Sequence, residues 1–349
     1  MSKQRLVIIL ISVLVLGLSF LGLNVLENNA EAAVLKDEQI NLYISGPQKM
    51  VTLLENEFEK EHGDVLNVYH TGCGPLRQKV WTEMMAGSIQ ADLVWGAEPI
   101  MYQALRDKGV LQQYKSAQIK NIKEEYIYGD GYYTAVNARY GVIIYNKNKV
   151  KGDKIPAGWS DLMDQKWKNR QVMADASQSA MALALTAGLY QIRDNSWDLI
   201  EALDENNIRL TKQNIEAVAR IENGEAEVGI APHDAVFRLH KKAKKQGVKS
   251  PLAICWPDEG AISVQRPIAI IKKERNSVQA GIVREFVDYA LSKKAQLIAN
   301  KFGFITVRKD LSLPAAVPKE IKSIGLDWEY ASAHEGDIRD GFKEIMFTN

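Results

Sequence analysis

Ala174-Asp175-Ala176-Ser177-Gln178-Ser179-Ala180 decides how this chain is read. The preceding step, Gln171-Val172-Met173, reads as the end of a strand, and Met181-Ala182-Leu183-Ala184-Leu185 reads as the start of a helix. Small hydroxyl residues therefore sit where a helix presents unpaired N–H groups and the positive end of its dipole. Such an end binds anions if it faces a ligand. It is an ordinary N-cap if it does not, because Asp and Ser cap helices in either case.

The flanking segments supply the context. Ile40–Ile44 alternates as a strand and runs into the turn Ser45-Gly46-Pro47, and Met50 to Lys60 has helical spacing. Val65–Tyr69 is a second strand, followed by His70-Thr71-Gly72-Cys73-Gly74-Pro75 and a helix through Met85. Ala91–Trp95 is a third, followed by Gly96-Ala97-Glu98-Pro99 and a helix through Lys108. Three strand–loop–helix steps predict a parallel sheet in an α/β unit, with ligands at the carboxyl ends of its strands. Loops at Ser45, Thr71 and Gly96 would gather on that edge. Tyr140–Asn146 is an apolar strand, and Trp159-Ser160-Asp161-Leu162 opens a short helix. Strands near Ile208 and Glu227–Ile230, the latter ending in Ala231-Pro232-His233-Asp234, with helices over 197–203, 215–223 and from there to Lys245, complete a second α/β unit. Pro267–Ile271 is a further strand, Val278 to Leu291 a long amphipathic helix, and 338–345 a final helix.

The 349 residues suffice for two domains with real cores. A 46% hydrophobic, 25% charged composition is that of a soluble globular protein. The formal net charge of +1 gives no pointer to nucleic acid or to a polybasic membrane surface. Lys3 and Arg5 precede an apolar run from Leu6 to Leu26, and Ala30-Glu31-Ala32 forms an A-x-A site, so residues 1–32 are expected to be a cleaved export signal. A retained anchor is the alternative. Export permits a disulfide, but Cys73 and Cys255 fall in different units, and two free thiols are expected. No cysteine–histidine pattern of the zinc type is present, and no cofactor or metal is expected.

An exported chain with two α/β units and two apolar crossovers resembles the type II solute-binding proteins of ABC importers. Local phrases resemble the ferric-iron, phosphonate and hexose-phosphate branch: Ala91–Gly96 with Leu105–Leu111, Trp159–Leu162 with Lys166-Trp167-Lys168, Asp175–Ala180, Glu222–Glu225 with Val228–Ile230, and Phe286–Leu291. Their order and spacing together carry the resemblance. It implies a lobe built from 33–138 and 265–310, a second from 139–264, and a C-terminal helical segment, 311–349, packed on both. Hinges near Asn137–Tyr140 and Ser263–Pro267 would let the lobes close over a ligand. The closed form would dock on a membrane permease, and the protein would act as a periplasmic monomer without catalytic activity.

Ferric-binding members carry adjacent tyrosines after the strand that here is Glu227–Ile230. This chain has Pro232-His233-Asp234 there, and its one tyrosine pair, Tyr132-Tyr133, lies elsewhere. His233-Asp234 and Glu259-Gly260 instead look like hexose-phosphate binders, which implies that His233, Asp234 and Glu259 grip sugar hydroxyls. The residues after Gly260 lack those members' glycine-rich continuation, and the same carboxylates can hold the ammonium of an aminoalkylphosphonate. The anionic half of the ligand would be held by Ser45, Thr71, Gly72, Gly74, Gly96, Ser177, Ser179 and Ala180. Arg139 adds one charge or makes a hinge salt bridge. Ferric iron and a thiamine-like cation are the alternative ligands. A hydrolase is disfavoured, because adjacent His and Asp are poorly placed for one to orient the other and no Gly-x-Ser-x-Gly elbow exists.

Overall fold

The computed structural model describes residues 38–348 apart from 97–98, 128 and 315–316. The expected export signal lies outside the described residues. Among them, no helix is long and apolar enough to cross a membrane.

The elements alternate as the sequence predicts. First come β1 (Ile40–Ser45), α1 (Gln48–His62), β2 (Leu66–Thr71), α2 (Cys73–Met85), β3 (Leu93–Trp95), α3 (Pro99–Asp107) and the short β4 (Leu111–Gln112). The long strand β5 (Tyr133–Asn146) leads to β6 (Gln171–Ala174), α4 (Ala180–Gln191), α5 (Asp198–Glu205), β7 (Arg209–Thr211), α6 (Asn214–Glu222), β8 (Val228–Pro232) and α7 (His233–Lys245). Then follow β9 (Leu252–Cys255), β10 (Ala261–Ile271), α8 (Ser277–Ala290), α9 (Lys293–Asn300), β11 (Ile305–Thr306), β12 (Ser323–Ile324), α10 (Trp328–Ala333) and α11 (Glu335–Phe347). The expected helix at Trp159 is a 3-10 turn over Trp159–Met163.

The main strand path runs β2-β1-β3-β10-β5-β8-β6-β7. At one end β1 is parallel to β2 and β3, and at the other β6 is parallel to β7 and β8. Between them lie β5 and β10, antiparallel to each other over most of their length. These two strands join the halves of a mixed α/β, two-lobed molecule. Their register shifts between Arg266 and Pro267. Pro267 has no N–H to give the ladder, so pairing must break there, and such a break re-aims the neighbouring side chain.

β10 begins at Ala261, six residues before the expected Pro267. Gln265, Arg266 and Pro267 interrupt its apolar pattern and hide its continuity, yet Gln265 and Arg266 are both buried. α4 has almost no polar face, because the sheet lies on one side and the C-terminal helices on the other. A Cβ on its Gly188 would come within 2.6 Å of Ile262 Cγ2, so only glycine lets helix and strand approach this closely.

Candidate functional site: an anion cleft

A cleft of about 590 Å³ opens where the two halves of the sheet meet. Four helices begin on its wall: α1 behind Gly46-Pro47, α2 at Gly72-Cys73-Gly74, α4 at Ser179-Ala180 and α6 at Gln213-Asn214. Each turns orphan N–H groups and the positive end of its dipole toward the same space. The opening stretch is ordered by its own side chains. The Asp175 carboxylate accepts from Ser177 N–H at 2.8 Å and from Gln178 Nε2 at 2.6 Å. Ser179 Oγ caps α4 by accepting from Ala182 N–H, and Asn214 Nδ2 of α6 donates to that same oxygen, both at 3.2 Å. The two helix starts are thereby tied together.

Side-chain charge reinforces the backbone field. Arg139, Lys212, Arg238 and Arg266 line the cleft against one carboxylate, Asp234, an excess of three positive charges. Asp234 forms a two-pronged pair with Arg139 (2.7 and 3.1 Å) and meets Arg238 at 3.5 Å. Burial works against both charges of the main pair. Even so, Asp234 holds the Arg139 guanidinium above its ordinary range, and Arg139, then Arg238, hold the Asp234 carboxyl below its own.

Arg266 is different. It is 1% exposed. Its guanidinium donates to the Ser45 carbonyl, to Ser45 Oγ at 3.4 Å and to Asn137 Oδ1 at 3.2 Å, and its plane lies 4.5 Å from the Phe304 ring. Among the described residues it forms no ion pair. Burial pushes its pKa down to about 10, with the Arg139 charge adding to the effect. A buried cation with only neutral partners is costly, and an anion in the cleft would relieve it. Arg238 Nε and Asn214 Oδ1 are also buried at this wall without a partner.

The structure brings together Gly72, Gly74, Ser179, Ala180 and Asp234 on this cleft. The other expected ligand residues lie elsewhere. Ser45 is fully buried beneath the floor, where its Oγ accepts from the Cys73 thiol at 3.4 Å. Thr71 ends β2 just before the helix start and is not part of the lining. Gly96 has φ of 114°, and a Cβ there would strike Ser45 Oγ and come within 2.9 Å of Arg266 Nη2, so this glycine makes room for the floor. Ser177 stands one step outside, its carbonyl accepting from Arg339 at 2.8 Å.

Two expectations are corrected. His233 is fully buried: Nδ1 accepts from Tyr140 N–H at 2.9 Å and Nε2 donates to the Gly303 carbonyl at 2.8 Å. Burial holds the imidazole below its ordinary range, hence neutral, and no ring nitrogen is left for a ligand. Glu259 sits on an exposed turn and accepts from the N–H groups of Trp159 (3.1 Å) and Ser160 (3.3 Å). It caps the 3-10 turn instead of reading hydroxyls. Arg139 lines the cleft and is salt-bridged to Asp234. Lys212, Asn214, Arg238 and Arg266 also line the cleft and are not among the residues expected from the sequence. A lone arginine inside an apolar strand was the signal available for Arg266. Tyr133 is not a cleft residue, and its hydroxyl donates to Gln103 at 2.9 Å in the core. Cys73 and Cys255 are free thiols, the first on the cleft wall, the second pushed up to about 11 by burial.

Residues 90–334 match the model of the bacterial extracellular solute-binding protein family. A Salmonella typhi protein assigned as 2-aminoethylphosphonate-binding and periplasmic is 24% identical over 261 residues, 73% of each chain. Iron uptake protein A1 of Synechocystis is 25% identical over 272 residues, 75% of this chain and 73% of that one. The fructose-6-phosphate-bound periplasmic binding protein AfuA of Actinobacillus pleuropneumoniae superposes with a TM-score of 0.73 at 25% identity, covering 88% of this chain and 98% of the other. With 245 residues inside the family match and a two-lobed sheet around one cleft, the chain belongs to the bacterial extracellular solute-binding proteins, with the type II periplasmic binding fold.

Proposed function

We propose that this protein captures a small phosphorylated or phosphonate solute outside the cytoplasm and delivers it to the permease of an ABC importer. The observation that carries the reading is Arg266, a fully buried cation without an ion-pair partner among the described residues, on the floor of a cleft where four helices begin. The anion would sit against the N–H groups of Gly72–Gly74 and Ser179-Ala180, with Arg266 beneath it. Asp234 and the Asn214 amide would face the remainder of the molecule, whether hydroxyls or an ammonium. Rotation of the lobes about β5 and β10, with the first lobe built from 33–138 and 265–310 and the second from 139–264, would close the cleft. Contacts to both lobes favour the closed state by differential affinity. This is capture without turnover by an exported monomer.

The relatives' names also include iron uptake. Ferric iron calls for several hard anionic donors, whereas the described lining offers one carboxylate, already paired, and no phenol. The donor set therefore supports the anion. Thermal unfolding and calorimetric titration with inorganic phosphate, 2-aminoethylphosphonate, fructose 6-phosphate and ferric citrate test this. A ligand at a hundredfold excess over Kd stabilises by about 2.7 kcal/mol, so at least one phosphoryl or phosphonate compound should raise the Tm without being consumed. A shift with ferric iron alone, accompanied by a tyrosinate charge-transfer band, would overturn it.

A further inference from the structure

After β12 the chain bridges the two halves again. On the first half, α10 packs against α3, Ser332 Oγ donates to the Ile100 carbonyl at 3.3 Å, and Arg106 meets Glu329 at 3.4 Å. On the second, α11 packs against α4 and α5, and Phe342 is fully buried. Gln191 of α4 exchanges two hydrogen bonds with Asp327, at 3.0 and 2.9 Å.

At the junction of α10 and α11 stands Glu335. Its Oε2 accepts from Arg77 of α2, and its Oε1 accepts from Arg339 at 2.6 Å. The other arm of Arg339 donates to the Ser177 carbonyl at 2.8 Å. Arg77 lies one turn into the helix that begins at Gly72–Gly74, and Ser177 lies two residues before the N-cap Ser179 of α4. Three side chains thus connect the starts of the two helices that face each other across the cleft. A Cβ on Gly74 would lie only 3.8 Å from the Gln178 carbonyl, so the gap they set is narrow. The Arg77 and Glu335 side chains are 10% and 18% exposed, which shields the pair from solvent screening.

We propose that Glu335 is a positioning residue for ligand capture: through Arg77 and Arg339 it limits how far the α2 and α4 starts separate before a ligand closes the cleft. A protein held near its competent conformation loses less affinity to the population of its open form. The consequence for affinity rests on the anion-cleft reading, but the spacing does not.

The test is therefore made without ligand, on the full chain with Cys73 and Cys255 replaced by serine and spin labels at the exposed positions Leu53 and Val248, one on each half. Double electron–electron resonance should give one narrow distance distribution for the parent. E335Q should broaden it and add a longer-distance population, while E335D, which keeps the charge, should restore part of the narrow peak. R339Q, which cuts the link to Ser177, should act like E335Q. If either variant folds and keeps the parent distribution, the inference fails. With whichever titrated compound binds the parent, E335Q should weaken affinity by about fivefold to tenfold. If none of the compounds binds but E335Q still broadens the distribution, the ligand reading falls and the positioning role stands.

Discussion

Replacing Arg266 by methionine separates the cost of the ligand-free fold from the strength of capture. Burial pushes the guanidinium from its ordinary value down to about 10. At ~1.4 kcal/mol per pKa unit, the ligand-free protein carries roughly 3 kcal/mol of unrelieved desolvation. The sign follows from a depressed folded value on a base. The cost is present in full at neutral pH and is lifted only as pH rises from about 10 toward the unfolded value. Methionine removes that cost and fills similar space, but it leaves the Ser45 carbonyl and Asn137 Oδ1 without the donors they now have. Losing those bonds costs about 1–3 kcal/mol. The two effects nearly cancel, so R266M should leave ligand-free stability within about 1–2 kcal/mol of the parent, a modest shift in Tm. Binding has no such compensation. A charge-assisted bond to the anion is worth about 1.5–3 kcal/mol, and a charge pair 4 Å apart near a protein surface about 4 kcal/mol. Affinity for the phosphoryl ligand should therefore fall by about a hundredfold or more. Thermal unfolding of the ligand-free variant and calorimetric titration against the parent's ligand read the two quantities separately. Unchanged affinity in a folded R266M would refute Arg266 as an anion contact. A large loss of ligand-free stability would refute the claim that its charge strains the empty cleft.

The two corrected residues make opposite predictions to Arg266. His233→Ala strands the Tyr140 N–H and the Gly303 carbonyl in the core and should cost about 2–4 kcal/mol of stability. Affinity per folded molecule should hold within about twofold, because His233 is not part of the described cleft lining. The imidazole's folded pKa lies below 6.5, so the parent should lose stability as pH falls below 6.5, where the unfolded chain takes up the proton first, and H233A should lack that component. A pH series of denaturant midpoints measures this. Glu259→Ala removes the cap on the 3-10 turn at Trp159 and should lower stability by about 1 kcal/mol. A titration showing tenfold weaker binding in E259A would return Glu259 to the ligand site.

The sequence carries the local half of this structure and withholds the long-range half. Helix starts such as Gly72–Gly74 and Ser179-Ala180 announce themselves through small and capping residues, and their place at strand ends follows from the βα alternation. Which neighbouring polar side chain faces the cleft depends on angles and registers with no local signature. His233 and Asp234 are adjacent, but successive helical residues point about 100° apart. One enters the core beside Tyr140, while the other reaches Arg139. Glu259 enters the expected site only through its resemblance to the Glu-Gly of hexose-phosphate binders, and nothing local in the sequence shows where its turn lies. β10 starts at Ala261, and five steps of about 3.3 Å, roughly 16 Å of strand, separate that end from Arg266. The same strand hid Arg266, since a Gln-Arg-Pro break in an apolar run reads as a hinge loop. Its real meaning is a register shift that turns one charge inward. The small residues at Ser45 and Gly96 then acquire a second reason to be small. Both are expected from the sequence as ligand contacts, but a Cβ at Gly96 would collide with Ser45 Oγ and crowd Arg266 Nη2, so they make room for the guanidinium.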